Sequence, residues 1–504
     1  LRAILVKSTA TGALQLIVST LLVFITIPTF VGKLGVEVYG VFSIVALVGN
    51  VNTFTNLGLN AALVRFLAQQ GKSRQSDHDI LASLIILLVI LLPLTAAGYI
   101  FREAILLNIF NIPFRLIVDA EWLFVAMLVS NVFLLSGQIF AAILESMQKV
   151  YLTNIYQTLN NAVYWGLILV ALSLGYSLQG VAVATLLSTL VWFCIVVASS
   201  LRAWGGLSIS GFASNGVRAA KKQLRYGLQI YSGSVISFLY EPLTKILVAR
   251  FLGVTEVGLF DIGVRARNQV MGMVGKLVYP IYPLLSQESN PERVRDIVHD
   301  VEQKILYAVL PLVGIVLLTS KPLISMMFDS HVDTIAITVA CVVSAYLLGS
   351  FTVTPNYQYL LAKGYASKTV VLQAINVVVN AGAFFLFLPW LGYYAVVAAN
   401  VAAILTSCGV SVYYQHRYLN SLILDSWRQT AYLCASFLVA CALGNGFSEL
   451  VDAHAWKLAG IPIVVMGVTL FQYRLFGMVT RKDIARYFGG NSLLSKWSAV
   501  ILCR

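Results

Sequence analysis

The run Ile80-Leu-Ala-Ser-Leu-Ile-Ile-Leu-Leu-Val-Ile-Leu-Leu-Pro93-Leu-Thr-Ala-Ala-Gly-Tyr-Ile-Phe101 holds twenty-two residues without a charge. At about 1.5 Å of rise per residue, a helix of that length spans roughly 33 Å, enough to cross a hydrocarbon layer roughly 30 Å thick. Outward from it the same reading recurs. Before it lie runs near 12–31 and 40–64. After it come 122–144, 153–174, 178–200, 226–249, 257–284, 304–327, 335–361, 369–389, 392–414, 429–448 and 456–477. The pattern predicts an all-α integral membrane protein of about fourteen transmembrane helices. The first run is too long for a signal-peptide core and lacks an A-x-A cleavage site, so it counts as a span.

Composition agrees. Charged residues make up 11% of the 504, hydrophobic ones 59%, against roughly 25% charged in soluble domains. Five of the six cysteines lie in apolar runs and none forms C-x-x-C; the five histidines show no ligand spacing, so no metal site is expected. Gly71-Lys72-Ser73 resembles the end of a phosphate-binding loop, but Phe66 stands where its first glycine belongs. With a cytoplasmic N-terminus, the inside segments collect 24 Lys and Arg and the outside segments 6. That asymmetry places both termini inside. The net charge of +13 is then topology signal and attraction to an anionic leaflet, with no nucleic acid required.

The chain repeats itself. Leu34-Gly35-Val36 followed by Gly40, Phe42, Ile44 and Asn50 recurs 218 residues later as Leu252-Gly253-Val254 followed by Gly258, Phe260, Ile262 and Asn268. Lys149-x-Tyr151 recurs as Lys363-x-Tyr365, and Gly175-Tyr176 as Gly392-Tyr393. This predicts an N-terminal six-helix bundle over 1–200 and a basic cytoplasmic linker over 201–225. A C-terminal six-helix bundle follows over 226–415, then two extra helices and a basic tail over 416–504. Repeats of even span number enter from the same side, and a substrate site is expected between them.

Ionisable groups within spans are costly and mark functional sites. In the seventh run Ser234, Ser237, Glu241 and Lys245 share one helical face. In the eighth Asp261, Arg265, Asn268, Gly272 and Lys276 do so, with Arg267 directed elsewhere. Two readings stand. Glu241–Lys245 and Asp261–Arg265 are i,i+4 pairs that neutralise each other, or these residues form a net-basic cavity wall suited to an anionic substrate. Glu241 and Asp261 are also candidates for binding a coupling cation. Asn52, Asn56 and Asn60 form a polar stripe that suits helix–helix hydrogen bonds or sugar hydroxyls. Pro355-Asn356-Tyr357-Gln358-Tyr359 mixes amides and phenols in the same sense.

Ile27-Pro28, Leu34-Gly35-Val36-x-x-Tyr39-Gly40, Asn56-Leu57-Gly58-Leu59 and Arg65 together resemble the polysaccharide exporters of the multidrug/oligosaccharidyl-lipid/polysaccharide superfamily. Tyr226-Gly227-Leu228 and Leu252-Gly253-Val254-x-x-x-Gly258 resemble the same family's second-half opening. The nearest match within it is the O-antigen and lipid-linked oligosaccharide flippases. The resemblance implies two six-helix bundles and alternating access. It implies passage of an undecaprenyl-diphosphate-linked oligosaccharide from the cytoplasmic to the periplasmic leaflet of a bacterial inner membrane, with an H+ or Na+ gradient as the drive and no other cofactor. Membrane lipids, a polysaccharide polymerase and chain-length machinery are the partners it implies. The cationic lumen of such exporters maps here to Lys245, Arg265, Lys276 and Arg65. A lipid II flippase, a multidrug cation antiporter and a membrane-embedded glycan polymerase or ligase are the alternatives. The basic excess opposes the antiporter. The longest outside segment, about twenty residues near Arg102 to Glu121, opposes the enzyme.

Overall fold

The structure is a computed structural model that describes residues 2–50, 58–208, 210–278, 281–419 and 427–475. Asn52 and Asn56 lie outside the described residues, as does the basic tail beyond Leu475. The described residues contain no strand and fourteen helices of twelve residues or more. In chain order these are α1 (Arg2–Val45), α2 (Leu59–Gln70), α3 (Arg74–Ile100), α4 (Ile117–Ser146), α5 (Val150–Ser173), α6 (Leu178–Trp204) and α7 (Phe212–Phe251). They continue as α8 (Val254–Val278), α9 (Pro291–Met327), α10 (Val332–Ala362), α11 (Ala366–Leu391), α12 (Tyr394–Leu419), α13 (Trp427–Leu450) and α14 (His454–Leu475). Ten helical stretches among the described residues are long and apolar enough to cross a membrane. The four that fall short are α2, α5, α7 and α8. Described α2 has only 12 residues, α5 carries Asn154, Gln157, Asn160 and Asn161, and α7 and α8 carry the charges already singled out.

The repeated Leu-Gly-Val marks the same local event twice. Gly35 breaks α1 internally at φ 83°, and Gly253 joins α7 to α8 at φ 123°. Both values fall where a Cβ is strained, which is why glycine stands there. Five residues on, the repeat does something different. A Cβ on Gly40 would sit 1.7 Å from the Val254 carbonyl oxygen, and one on Gly258 2.6 Å from that of Val36. The two copies of the motif therefore cross backbone to backbone, as small residues permit in membrane helices.

Two compact units are present, Leu1–Asp261 and Ile262–Arg504. The segment 201–225, expected as a basic linker, makes local contacts within the first unit. From Phe212 onward that segment is already helix α7. Lys222 Nζ bonds Asp79 Oδ2 at 2.7 Å, and His78 Nε2 lies 2.9 Å from the Ser210 carbonyl oxygen. The Gly40–Gly258 crossing ties the start of α8 to α1. In the first unit α4 packs on α6 and α1 on α5, and Leu63, Leu67, Leu87, Ile139 and Trp192 belong to its core. In the second, α9 packs on α10, α11 on α12, and α13 on α14.

Candidate functional site

The glycine crossing brings Tyr39 of α1 beside the first turns of α8. Its hydroxyl donates to Asp261 Oδ2 at 2.6 Å. The other carboxylate oxygen, Oδ1, accepts from Lys245 Nζ of α7, also at 2.6 Å. Lys245 Nζ lies 3.1 Å from Glu241 Oε1, one turn earlier on the same helix. Lys245 and Asp261 are 4% and 1% exposed, so this is a buried ionic cluster of two carboxylates around one ammonium. Such a cluster stands only because each charge has a partner at hydrogen-bonding distance.

The i,i+4 pair Glu241–Lys245 is therefore present, while Lys245 also reaches Asp261 sixteen positions on. The sequence placed Lys245 on a cationic face. Here it contacts the carboxylates of Glu241 and Asp261. Arg265 is half-buried in α8, and Arg65 is exposed on α2. Lys276 lies within helix α8, its side chain outside what the structure describes, as are those of Ser234 and Ser237 on α7. Arg267, which helical spacing sent away from that face, is 6% exposed. It donates through Nε and Nη2 to Asn268 Oδ1 at 3.1 and 2.8 Å, and its guanidinium lies 4.7 Å from the Tyr346 ring. Asn268 is otherwise exposed, and Tyr357 is half-buried on α10.

Asn60 lines a cavity of about 380 Å³ inside the first unit, with Gln15, Gln138, Glu145, Asn154 and Gln157. Its amide nitrogen donates to Gln138 Oε1 at 3.2 Å. Trp192 Nε1 also borders this cavity, buried and without a hydrogen-bond partner among the described residues. Six of the ten lining residues are amides or a carboxylate, groups that pair with hydroxyls.

Sequence reading missed four carboxylates. Asp77 and Asp79 are 2% and 0% exposed at the start of α3. Asp77 accepts from Lys72 Nζ, Trp204 Nε1 and the Ser208 amide. Glu145 ends α4 at the cavity, and Glu302 is fully buried in α9. All four fall within three residues outside a drawn span. Helix α9 shows the signal that would have found one. It starts at Pro291 behind an Asn290 cap, so its apolar stripe runs through Glu302.

The polysaccharide biosynthesis protein family matches residues 5–289. No curated protein sequence matches the chain. Among solved structures, the lipid II flippase MurJ in an inward closed conformation superposes with a TM-score of 0.76 at 14% identity, covering 93% of this chain and 98% of that one. An inward-facing multidrug resistance MATE family transporter of the MOP superfamily gives 0.66 at 16% identity, covering 81% and 96%. A MOP superfamily transporter from Pyrococcus furiosus, described as having a binding pocket of reverse polarity, gives 0.58 at 16% identity, covering 83% and 96%. At these identities the likeness is one of fold.

Proposed function

The chain belongs to the polysaccharide biosynthesis protein family, and from that membership we propose that it is a flippase for an undecaprenyl-diphosphate-linked oligosaccharide, an O-antigen or related repeat unit. It is a multi-pass membrane protein with a transporter fold, and its relatives are transporters rather than enzymes. The proposed cycle is alternating access driven by an H+ or Na+ gradient, from the cytoplasmic to the periplasmic leaflet of the bacterial inner membrane, with both termini cytoplasmic. A polysaccharide polymerase and chain-length machinery would then take the product.

One observation carries this reading. Helix α8 places Asp261, Arg265, Arg267 and Lys276 within sixteen residues of one another. A diphosphate leaving water without counter-charge would cost many kcal/mol. Arg265 and Lys276 share a helical face about 16 Å apart along the axis, so they meet the anion at two depths. Binding at each must stay weak enough for release. The amide-lined cavity with Asn60 suits the sugar end of the same molecule.

The test is surface polysaccharide display in a strain lacking its own flippase, with the membrane level of each variant measured alongside. Arg265→Ala and Lys276→Ala should each impair display, and Arg265→Lys should retain part, because charge survives while the bidentate fork does not. Normal display by the double alanine variant removes this face from the mechanism. Rescue of a strain lacking lipid II flipping, with no rescue of polysaccharide display, replaces the substrate.

A further inference from the structure

Glu302 is 0% exposed, on α9. One carboxylate oxygen, Oε2, accepts from the Gln415 amide of α12 at 2.8 Å. The other, Oε1, has no hydrogen-bond partner, and no Lys, Arg or His among the described residues forms an ion pair with it. Gln415 is one turn beyond Ser411 on α12, and the Asn356 amide of α10 donates to the Ser411 carbonyl. Along this line Asn356 Oδ1 and Ser411 Oγ are buried and without partners among the described residues, and so is Ser407 Oγ one turn earlier. Asn356, Ser407 and Ser411 are each no more than 1% exposed.

Of these atoms Glu302 Oε1 and Asn356 Oδ1 can only accept while the carboxyl is ionised, whereas the two serine hydroxyls can donate or accept. Buried polar atoms in folded proteins are almost always paired, and among the described residues Glu302 Oε1 has neither a donor nor a positive charge at bonding distance. An ionised carboxylate enclosed in this way, with a single neutral amide for support, is strongly disfavoured. A proton converts Glu302 into a hydroxyl donor and removes the charge in the same step. Other ionisable groups stand on the surrounding helices. Tyr359 of α10 donates to the Tyr418 carbonyl, and Tyr473 of α14 to that of Tyr307. On α9 itself Lys304 bonds Asp300, and His299 Nε2 lies 2.9 Å from the Gln303 amide nitrogen. His416 and Arg417 of α12, Tyr432 of α13 and Arg474 of α14 are exposed, and Tyr414 of α12 is buried.

We infer that Glu302, held by Gln415, is a proton-binding site within the second unit, and that its proton is the one whose gradient drives transport. The second clause rests on the flippase reading above. The first does not. The bond formed is one O–H on Glu302 Oε1, and its proton comes from the aqueous phase.

Two measurements separate the claims. Infrared difference spectra of the full-length protein in nanodiscs, between acid and alkaline buffer, should show a protonated carboxyl band at neutral pH that Glu302→Gln removes. Absence of that band in the unaltered protein overturns the site, whatever the protein transports. In proteoliposomes loaded with undecaprenyl-diphosphate-linked glycan, an imposed pH gradient should accelerate transfer, and in Glu302→Gln the ratio of rates with and without the gradient should collapse to unity. An undiminished ratio in that variant, or acceleration by a sodium gradient alone, overturns the coupling role. A carboxyl band with no glycan transfer leaves the proton site standing and removes the flippase reading instead.

Discussion

Asp261, beside Lys245, and the acid at position 302 are buried to the same degree and solved in opposite ways. Asp261 is 1% exposed and has a lysine and a tyrosine hydroxyl at 2.6 Å. Glu302 is 0% exposed and has one neutral amide at 2.8 Å. The first arrangement fixes a charge in place, because its loss strands a buried ammonium. The second favours the uncharged acid and leaves the charge free to come and go. Burial alone therefore says little about whether an intramembrane carboxylate is structural or exchangeable. The count and kind of its donors says more.

The strongest way to break the contrast is to prevent the first site from assembling. Gly40→Ala drives a Cβ into the Val254 carbonyl, a backbone atom that cannot step aside as a flexible side chain would. Folded protein recovered after mild detergent extraction should fall to a small fraction of the unaltered level. Gly32→Ala, on the same helix with open space at its Cβ, should not lower it. Equal recovery of Gly40→Ala would mean that α1 and α8 do not cross at this point.

Next in size is a matched pair of amide substitutions. Asp261→Asn leaves Lys245 buried with Glu241 alone and should cost about 3–5 kcal/mol. Glu302→Gln reproduces the protonated form and should cost about 1 kcal/mol or less. Thermal unfolding in one detergent reads both, and equal destabilisation would erase the distinction between the two sites. The double variant Lys245→Met, Asp261→Leu should lose less than the sum of its single changes, since neither charge is then stranded. Tyr39→Phe is smaller again, roughly 1.5–3 kcal/mol for one hydrogen bond to a carboxylate.

Much of the fold is legible in the sequence because its signals are local. Apolar run length gives the helices, and the 218-residue repeat marks both glycine turns and both members of the crossing. What a repeat cannot say is that its two copies touch each other, since identity of sequence and proximity in space are separate properties. The candidate site was legible in part. Glu241, Lys245 and Asp261 are recognisable as charges in otherwise apolar helices, but the Lys245–Asp261 bond joins residues on different helices, beyond the reach of helical periodicity. Asp79, Glu145 and Glu302 escaped for another reason. Drawing each span to the length of its apolar run leaves a buried carboxylate near a helix end counted as loop. Helix α9, at 37 residues, is longer than the layer it crosses and shows the flaw in that rule.

Asp77 sharpens the comparison at its small end. It is as deeply buried as Asp261, yet its donors are of mixed kind. Trp204 Nε1 lies at 2.7 Å, the Ser208 amide at 3.0 Å and Lys72 Nζ at 2.9 Å. The lysine side chain is 44% exposed, so its charge is screened by water and its contribution is that of a surface pair. Lys72→Met keeps most of the aliphatic stem and leaves the carboxylate with two neutral donors. The expected loss is about 0–1 kcal/mol, against the several kcal/mol expected when Asp261 is neutralised beside Lys245. Trp204→Phe removes a donor from the buried side and should cost more than Lys72→Met, although it changes no charge. Thermal unfolding of the two variants side by side gives the ordering. If Lys72→Met proves the more damaging, then a cationic partner governs these buried carboxylates even from a half-exposed position, and the single neutral donor at Glu302 would become the harder site to explain.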